Sequence, residues 1–566
     1  MMNIYSLAGN WRFQLDPFNQ CQEEAWYTKS LDSTSVTIPG TTASNKVGNP
    51  VIIPIELAKE SVRCLREEYK YLGAACYQRD FQLDPSFENK KIQLFLERVM
   101  FESSVWIDDQ YIGRQDSLST PHCFDITSYV KMGTLHTLTI RIDNRDIHKI
   151  GPYPSAYTDE TQTIWNGIIG RVELQARDKV DINHVILGLK ASERLVQIAF
   201  DAYGLPSGIY GQLVAVIKDG DKLVTSYTTL VSKSSQEERI TVEFELEKSI
   251  SYWDEFSPKL YQLELNLTYS EADVNLGGNW SNLVGFKEIS TSGSYLYVNG
   301  VRRFLRGNLD CCNFPLTGHP PMDYASWLKV CETTKAHGLN HIRFHSWCPP
   351  EAAFQAADAI GMYLQIEGPV WMDHWTGYTV GCYEEHQSYL PAEAMRIIMS
   401  YSHHPSFCIY CHGNELNGDF QILERSTAEL KKINPHLLYT FSSNWDRTLT
   451  FVEDVFVTQA VDGVGCRGQY YLDQMVEGTQ LCYDNAMNQR DIPVISHEVG
   501  QYVVYPNLEE IPKFTGVLKP VNYESIKQDL EKKQLDRYVP AYVRASGKLS
   551  ALLYKSELET ALEPRS

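Results

Sequence analysis

Two stretches of the 566-residue chain end in side chains able to do acid–base chemistry. The first runs Ser402-His403-His404-Pro405-Ser406-Phe407-Cys408-Ile409-Tyr410-Cys411-His412-Gly413-Asn414-Glu415, an apolar core that reads as a buried strand and terminates in Asn-Glu. The second, Pro493-Val494-Ile495-Ser496-His497-Glu498-Val499-Gly500, repeats the arrangement. Singly, Glu415 also reads as a solvated acid opening a helix, and Glu498 as a loop acid paired with a surface cation. Together, two strand-end carboxylates can face one cavity. Glycosidic bond cleavage needs such a pair, one to protonate the leaving oxygen and one to attack or to activate water. Retention of configuration predicts a separation of about 5 to 5.5 Å, and inversion one beyond about 6.5 Å.

Carboxylates at strand ends require a parallel sheet, and the sequence offers one. After Asn299-Gly300, apolar strands at 302–308, 340–345, 362–367, 406–413, 437–443, 453–459 and 493–498 alternate with helical stretches such as Asp323 to Ala336, Glu351 to Ala359, Pro391 to Tyr401 and Asp419 to Lys432. This βα rhythm predicts a (β/α)8 TIM barrel over 291–566, with functional residues at the C-terminal ends of its strands. The count stops at seven, so the barrel reads as lacking its last strand and the chain as a piece of a longer enzyme. Upstream, short alternating segments bounded by turns, such as Ile92 to Leu96 and His136 to Ile142, predict an all-β sandwich over 1–180. A second such run over 181–290 has the size of an immunoglobulin-like β-sandwich. The fold class is multidomain β plus α/β.

The segment from His404-Pro405-Ser406 to Gly413-Asn414-Glu415 resembles the acid/base signature of glycoside hydrolase family 2, the β-galactosidase, β-glucuronidase and β-mannosidase family. Val284-Gly285-Phe286-Lys287, Leu296-Tyr297-Val298-Asn299-Gly300, Arg306-Gly307-Asn308 and Pro315-Leu316-Thr317-Gly318-His319 resemble the family's entry into its barrel. Leu7-Ala8-Gly9-Asn10-Trp11, Val105 to Gly113 and Trp165 to Val172 resemble its jelly-roll domain. The resemblance implies that Glu415 is the general acid/base and Glu498 the nucleophile of a retaining exo-glycosidase, and that Asn414 hydrogen-bonds the sugar 2-hydroxyl. It puts Arg343 in the place of the family's arginine and Glu367 in that of another barrel-mouth acid, with a structural salt bridge as the alternative for Glu367. Burial and the charge of Glu498 are expected to raise the Glu415 pKa, keeping it protonated as an acid must be. The family's Ser-His after the arginine is here Phe344-His345-Ser346-Trp347, with His345 as the candidate site histidine. The usual tyrosine partner of the nucleophile has no counterpart in Val455 to Ala460, and Tyr470 and Tyr471 lie further along. Trp371 and Trp445, after the third and fifth strands, offer flat faces to a sugar, or else pack as core. Galactose is the first expectation for the sugar. Glucuronic acid is the second, with Arg467 as the cation for its carboxylate.

Composition narrows the partners. Hydrophobic residues at 43% and charged ones at 22% are globular usage, and the net charge of −20 disfavours nucleic acid and anionic membranes. The expected partner is a carbohydrate, a homo-oligomer is allowed, and no cofactor or metal is called for. No apolar run is long enough to span a bilayer. No signal peptide is visible, and the location stays open between bacterial cytoplasm and periplasm. Thirteen cysteines without repeated spacing argue against a disulfide framework and read mostly as buried thiols. Gly463-Val464-Gly465-Cys466-Arg467-Gly468 fits a dinucleotide fingerprint but lacks its βαβ context. Cys408 and Cys411 sit at i and i+3 of a strand and face opposite sides, which forbids chelation by that pair. His341 and His345 share a strand face without an evident third ligand. The rival reading is a carbohydrate-binding protein without turnover, since a barrel one strand short lacks a wall of its site.

Overall fold

Along Lys91–Met100, Ile92, Leu94 and Leu96 are buried while Gln93 and Phe95 between them are not, the alternation of a strand with one dry face. In this computed structural model, which describes residues 3–562 apart from 32–33, 64, 159, 161–163, 236–237, 272–273, 467–482 and 488–489, that strand lies in the first of two facing antiparallel sheets. One orders Asn3–Ser6, Gly167–Arg177, Lys91–Met100 and His122–Asp125, with Gly40–Thr41 as a side branch. The other orders Gln110–Gln115, Glu102–Ile107, Leu135–Asp143, Ala74–Gln82, Gly9–Asp16 and Thr34–Ile38. Trp11, Phe13, Tyr77, Phe81, Leu96, Ile140 and Leu174 fill the space between them. Each such side chain withdrawn from water contributes about 1.5 to 3 kcal/mol.

Two further sheets follow. Asp181–Lys190, Leu195–Tyr203 and Ile240–Glu245 form one, and Lys222–Val231, Gly211–Asp219, Tyr261–Glu271 and Val274–Val284 the other. Val196, Ile198, Phe200, Leu213, Ile217, Leu263 and Leu265 pack between them.

The expected strand over 302–308 is two strands. Asn299 and Gly300 take left-handed conformations and turn Val301–Arg303 back antiparallel on Tyr295–Val298, where the Arg302 guanidinium lies 3.8 Å from the Tyr295 ring centroid. The parallel strand begins after that break. Its sheet runs in sequence order through β1 (Gly307–Asp310), β2 (His341–Phe344), β3 (Tyr363–Glu367), β4 (Phe407–Cys411) and β5 (Leu438–Thr440). A parallel bridge from Asn444 to Thr458 carries it to β6 (Phe456–Thr458), which pairs in parallel with β7 (Val494–Ser496). Among the described residues no eighth strand joins β7 to β1. The chain instead sends Leu518–Lys519 back to pair with Arg66–Glu67 and closes with two helices, Val521–Lys532 and Val539–Leu562. No helix among the described residues is long and apolar enough to cross a membrane.

Helices α1 (Tyr324–Ala336), α2 (Glu351–Ile360), α3 (Glu385–Tyr401) and α4 (Phe420–Ile433) lie between the strands. Asp323 and Asp419 cap α1 and α4 by accepting backbone N–H bonds. Helix α3 starts six residues before Pro391, the residue expected to open it. Burial of Tyr389, Leu390, Ala394, Ile397, Ile398 and Tyr401 along one face outweighs the hydrogen bond that the proline forfeits.

Cys21 and Cys76 are joined in a disulfide, so one pair departs from the expectation of thiols. Cys312, Cys331, Cys348, Cys408, Cys411 and Cys466 are buried and free. Cys408 Sγ lies 3.2 Å from Lys287 Nζ and Cys411 Sγ 3.8 Å from Ser443 Oγ, on opposite sides of β4. Gly468 of the glycine pattern lies outside the described residues.

Candidate active site

Parallel strands deliver their C-terminal ends to one side, and there the sequence candidates meet. Arg343 near the end of β2 is the hub. It donates to Glu367 at 2.6 and 3.2 Å, to Asn414 Oδ1 at 2.6 Å, to the His497 carbonyl at 3.1 Å and to Glu498 Oε1 at 3.4 Å. Three segments are thereby tied to one planar fork. Burial opposes the charge on Arg343, but Glu367 and Glu498 more than restore it, and its pKa lies above the ordinary value.

Glu367, at the end of β3, is fully buried. Besides Arg343 it accepts from the Ser346 N–H at 2.7 Å, Gln365 Nε2 at 2.9 Å and Ser443 Oγ at 2.5 Å. Burial works to raise its pKa, yet Arg343 holds it below the usual value. Both Glu367 oxygens are thus engaged by neighbouring side chains and backbone. Asn414 is also fully buried, and its Nδ2 has no hydrogen-bond partner among the described residues.

Glu415 adopts a left-handed backbone conformation, φ 47°, and its N–H donates to the Ser443 carbonyl at 2.7 Å. His497 Nε2 lies 4.0 Å from Glu415 Oε1 and 3.7 Å from Glu498 Oε1, so the two carboxyl groups flank one imidazole. Those two oxygens are no further apart than the sum of the two distances. His345 Nε2 is 3.6 Å from Glu498 Oε1, and Gln501 donates to Glu498 Oε2. Burial, then the charge of Glu498 and that of Asp373, push the Glu415 pKa up to about 7, with Arg343 pulling against them. Burial and the neighbouring Arg343 press His345 down to about 4, which keeps it neutral at pH 7. One carboxyl group is thus poised to give up a proton beside another that is held by a cation.

Aromatic rings cluster beside His345. Trp371 meets His345 edge-on at 4.9 Å and lies 5.6 Å from Tyr153 and 6.1 Å from Trp375, while Tyr153 and Trp375 are 5.0 Å apart. Trp445 is 39% exposed, and its carbonyl accepts from Thr458 Oγ1 at 2.6 Å and the Ala460 N–H at 2.7 Å.

Sequence reasoning missed the contribution of the first sandwich. Its connection before Gly167–Arg177 enters the site, where the Ile150 carbonyl accepts from the Trp371 N–H at 3.1 Å and the Ser155 N–H donates to Ser346 Oγ at 2.9 Å. Ser155 Oγ also lies 3.2 Å from His345 Nδ1. Gly151 has φ +99°, and a Cβ there would sit 1.9 Å from the Trp371 carbonyl oxygen. Gly151-Pro152-Tyr153-Pro154 carries no motif that announces this role. His497, next to Glu498, was the readable signal that stayed unused. Arg467, Tyr470 and Tyr471 lie outside the described residues.

Residues 4–176 match the glycosyl hydrolases family 2, sugar binding domain. A β-galactosidase of Streptococcus thermophilus is 21% identical over 544 residues, covering 90% of this chain and 51% of that protein. A β-galactosidase of Thermoanaerobacter pseudethanolicus is 23% identical over 357 residues, covering 62% of this chain and 45% of that protein. The chain spans about half the length of these curated relatives. A solved β-glucuronidase of Ruminococcus gnavus superposes with a TM-score of 0.70 at 16% identity, covering 95% of this chain and 90% of that one. The fold and the matched sugar-binding domain define a multidomain glycoside hydrolase architecture. The matched domain, the similar β-galactosidases and the shared fold together support glycoside hydrolase family 2.

Proposed function

We propose that the protein is a retaining exo-glycosidase that hydrolyses terminal β-linked sugars of oligo- or polysaccharides. In this reading residues 1–180 form a jelly-roll sandwich, 181–290 an immunoglobulin-like sandwich and 291–566 a TIM-barrel catalytic unit. The observation that carries it is the pair Glu415 and Glu498 on either side of His497, with the Glu415 pKa pushed up to about 7.

Glu415 protonates the departing glycosidic oxygen while the Glu498 carboxylate attacks the anomeric carbon, giving a covalent glycosyl-enzyme and a free alcohol. Esterified Glu498 carries no charge, so the pKa of Glu415 falls and its carboxylate takes a proton from the incoming water. Water then attacks the anomeric carbon and regenerates Glu498. Arg343 positions Glu498 through its guanidinium, and Trp371 and Trp445 provide ring faces for the sugar C–H groups.

The curated relatives named β-galactosidase favour a β-galactoside, and the solved neighbours named β-glucuronidase favour a β-glucuronide. The test assays nitrophenyl β-galactoside and β-glucuronide side by side, with Glu498→Ala in the presence and absence of azide. Glu498→Ala should abolish turnover, and azide should restore part of it as a replacement nucleophile. Undiminished activity in that variant refutes the assignment. The absence of an eighth parallel strand among the described residues favours a second reading, carbohydrate binding without turnover. Saturable binding of a galactoside with no hydrolysis by the native chain would establish that reading instead.

A further inference from the structure

Outside the candidate active site, two imidazoles and a carboxylate converge where α2, the turn after α3 and the second sandwich meet. Glu351 Oε1 lies 3.1 Å from His404 Nε2 and 3.7 Å from His403 Nε2, and all three atoms fall within 4.8 Å of one another. We propose that Glu351, His403 and His404 form a divalent-cation site of the zinc type within the parallel-sheet unit, at its boundary with the second sandwich.

The spacing fits the metal. Four ligands at about 2.0 to 2.2 Å in a tetrahedron stand roughly 3.3 Å from one another, and the measured edges at Glu351 bracket that value. The orienting shell is in place. Asp358 Oδ2 is 2.5 Å from His404 Nδ1, which directs Nε2 toward Glu351, and Asp358 Oδ1 accepts the Ser406 N–H at 2.9 Å. A carboxylate on the far nitrogen of a ligating histidine is the usual support of a zinc ligand.

Charge points the same way. Among the described residues, Glu351 and Asp358 have ion-pair contacts only with these histidines, so two carboxylates face two imidazoles with no lysine or arginine within 4.0 Å. A dication bound to neutral imidazoles balances that set. The fourth position opens to water, because Glu351 and His403 line a cavity of about 840 Å³ between the first sandwich, the second sandwich and α3. The site has a competitor in the second sandwich, the Asn282 amide 2.9 Å from His403 Nε2, which must give way when that nitrogen ligates. The other such grouping among the described residues, Asp16 with Cys21 and Cys76, is committed to the disulfide.

The test titrates the tag-free, metal-free chain with Zn2+ by calorimetry and with Co2+ by visible absorption. One equivalent of Zn2+ should bind with a Kd of about 1 µM or tighter and raise the melting temperature. His403→Gln and Glu351→Gln should each weaken binding at least tenfold, whereas Asn282→Ala should leave it equal or tighter. Should a variant fail to fold, the native chain decides. Intense Co2+ bands of a four-coordinate site, displaced by Zn2+, support the proposal, and the pale spectrum of six-coordinate Co2+ overturns it. Unsaturable binding, or affinity unchanged in both ligand variants, also overturns it. Because neither readout is hydrolysis, the outcome is independent of the glycosidase reading.

Discussion

In the proposed mechanism Glu415 is the residue whose protonation sets the rate. With its pKa near 7, it carries its proton below that pH and loses it above. The expected kcat/KM profile therefore falls on the alkaline side with a midpoint near 7, and Glu415→Gln abolishes that limb with most of the activity. Asp373 is one of the negative charges holding the pKa up, so Asp373→Asn should move the same limb to lower pH. An unmoved profile in Asp373→Asn would show that this charge does not reach Glu415. Arg343→Met, which leaves Glu367 buried without its cation, should cost about 3 to 5 kcal/mol of stability in denaturant unfolding. At this scale the sequence announced which side chains would gather: Glu415, Glu498, Asn414 and Arg343 stand at or just beyond strand ends, and strand ends are readable from apolar runs. Tyr153 and Ser155 were hidden, because a loop that reaches its partners through tertiary contact has no periodicity to read.

At the scale of elements, alternation located the sandwich strands and the βα rhythm the parallel ones, since both follow from which face is dry. Failures came where a long-range contact overrode a local signal. Asn299-Gly300 marks a turn in either reading, but only the hairpin it closes explains why the strand over 302–308 breaks in two. Pro391 reads as a helix start, yet the buried face of α3 continues on both sides of it. Pro391→Ala should restore a helical hydrogen bond and stabilise the chain by about 1 to 3 kcal/mol, measured by thermal and denaturant unfolding. Gly151→Ala should act oppositely. The added methyl collides with the Trp371 carbonyl at a backbone angle that L-residues rarely adopt, which should displace the loop, lower activity and cost about 1 to 3 kcal/mol. Wild-type activity in that variant would mean that the loop and Trp371 move independently.

For the whole molecule, the order β1 to β7 leaves β1 and β7 with one parallel neighbour each among the described residues. Backbone amides on a sheet edge open more readily than those between two strands. Hydrogen exchange in Gly307–Asp310 and Val494–Ser496 should accordingly outpace that in Tyr363–Glu367 and Phe407–Cys411. Equal protection would indicate that the two edge strands are covered or paired. No sequence pattern could have foretold that Leu518–Lys519 returns to Arg66–Glu67, because two-residue pairings carry too few side chains to leave a signature.

The loop from the first sandwich gives the site a history as well as a shape. A ribosome delivers Tyr153 and Ser155 before Glu415 and Glu498, so the loop precedes in synthesis the strand ends it touches. Severing the chain after the first sandwich would thus do more than remove an accessory: Trp371 would lose the carbonyl that holds its backbone, and His345 the hydroxyl beside its ring. A loop of the first sandwich is thereby a structural part of a site whose acids come much later in the chain.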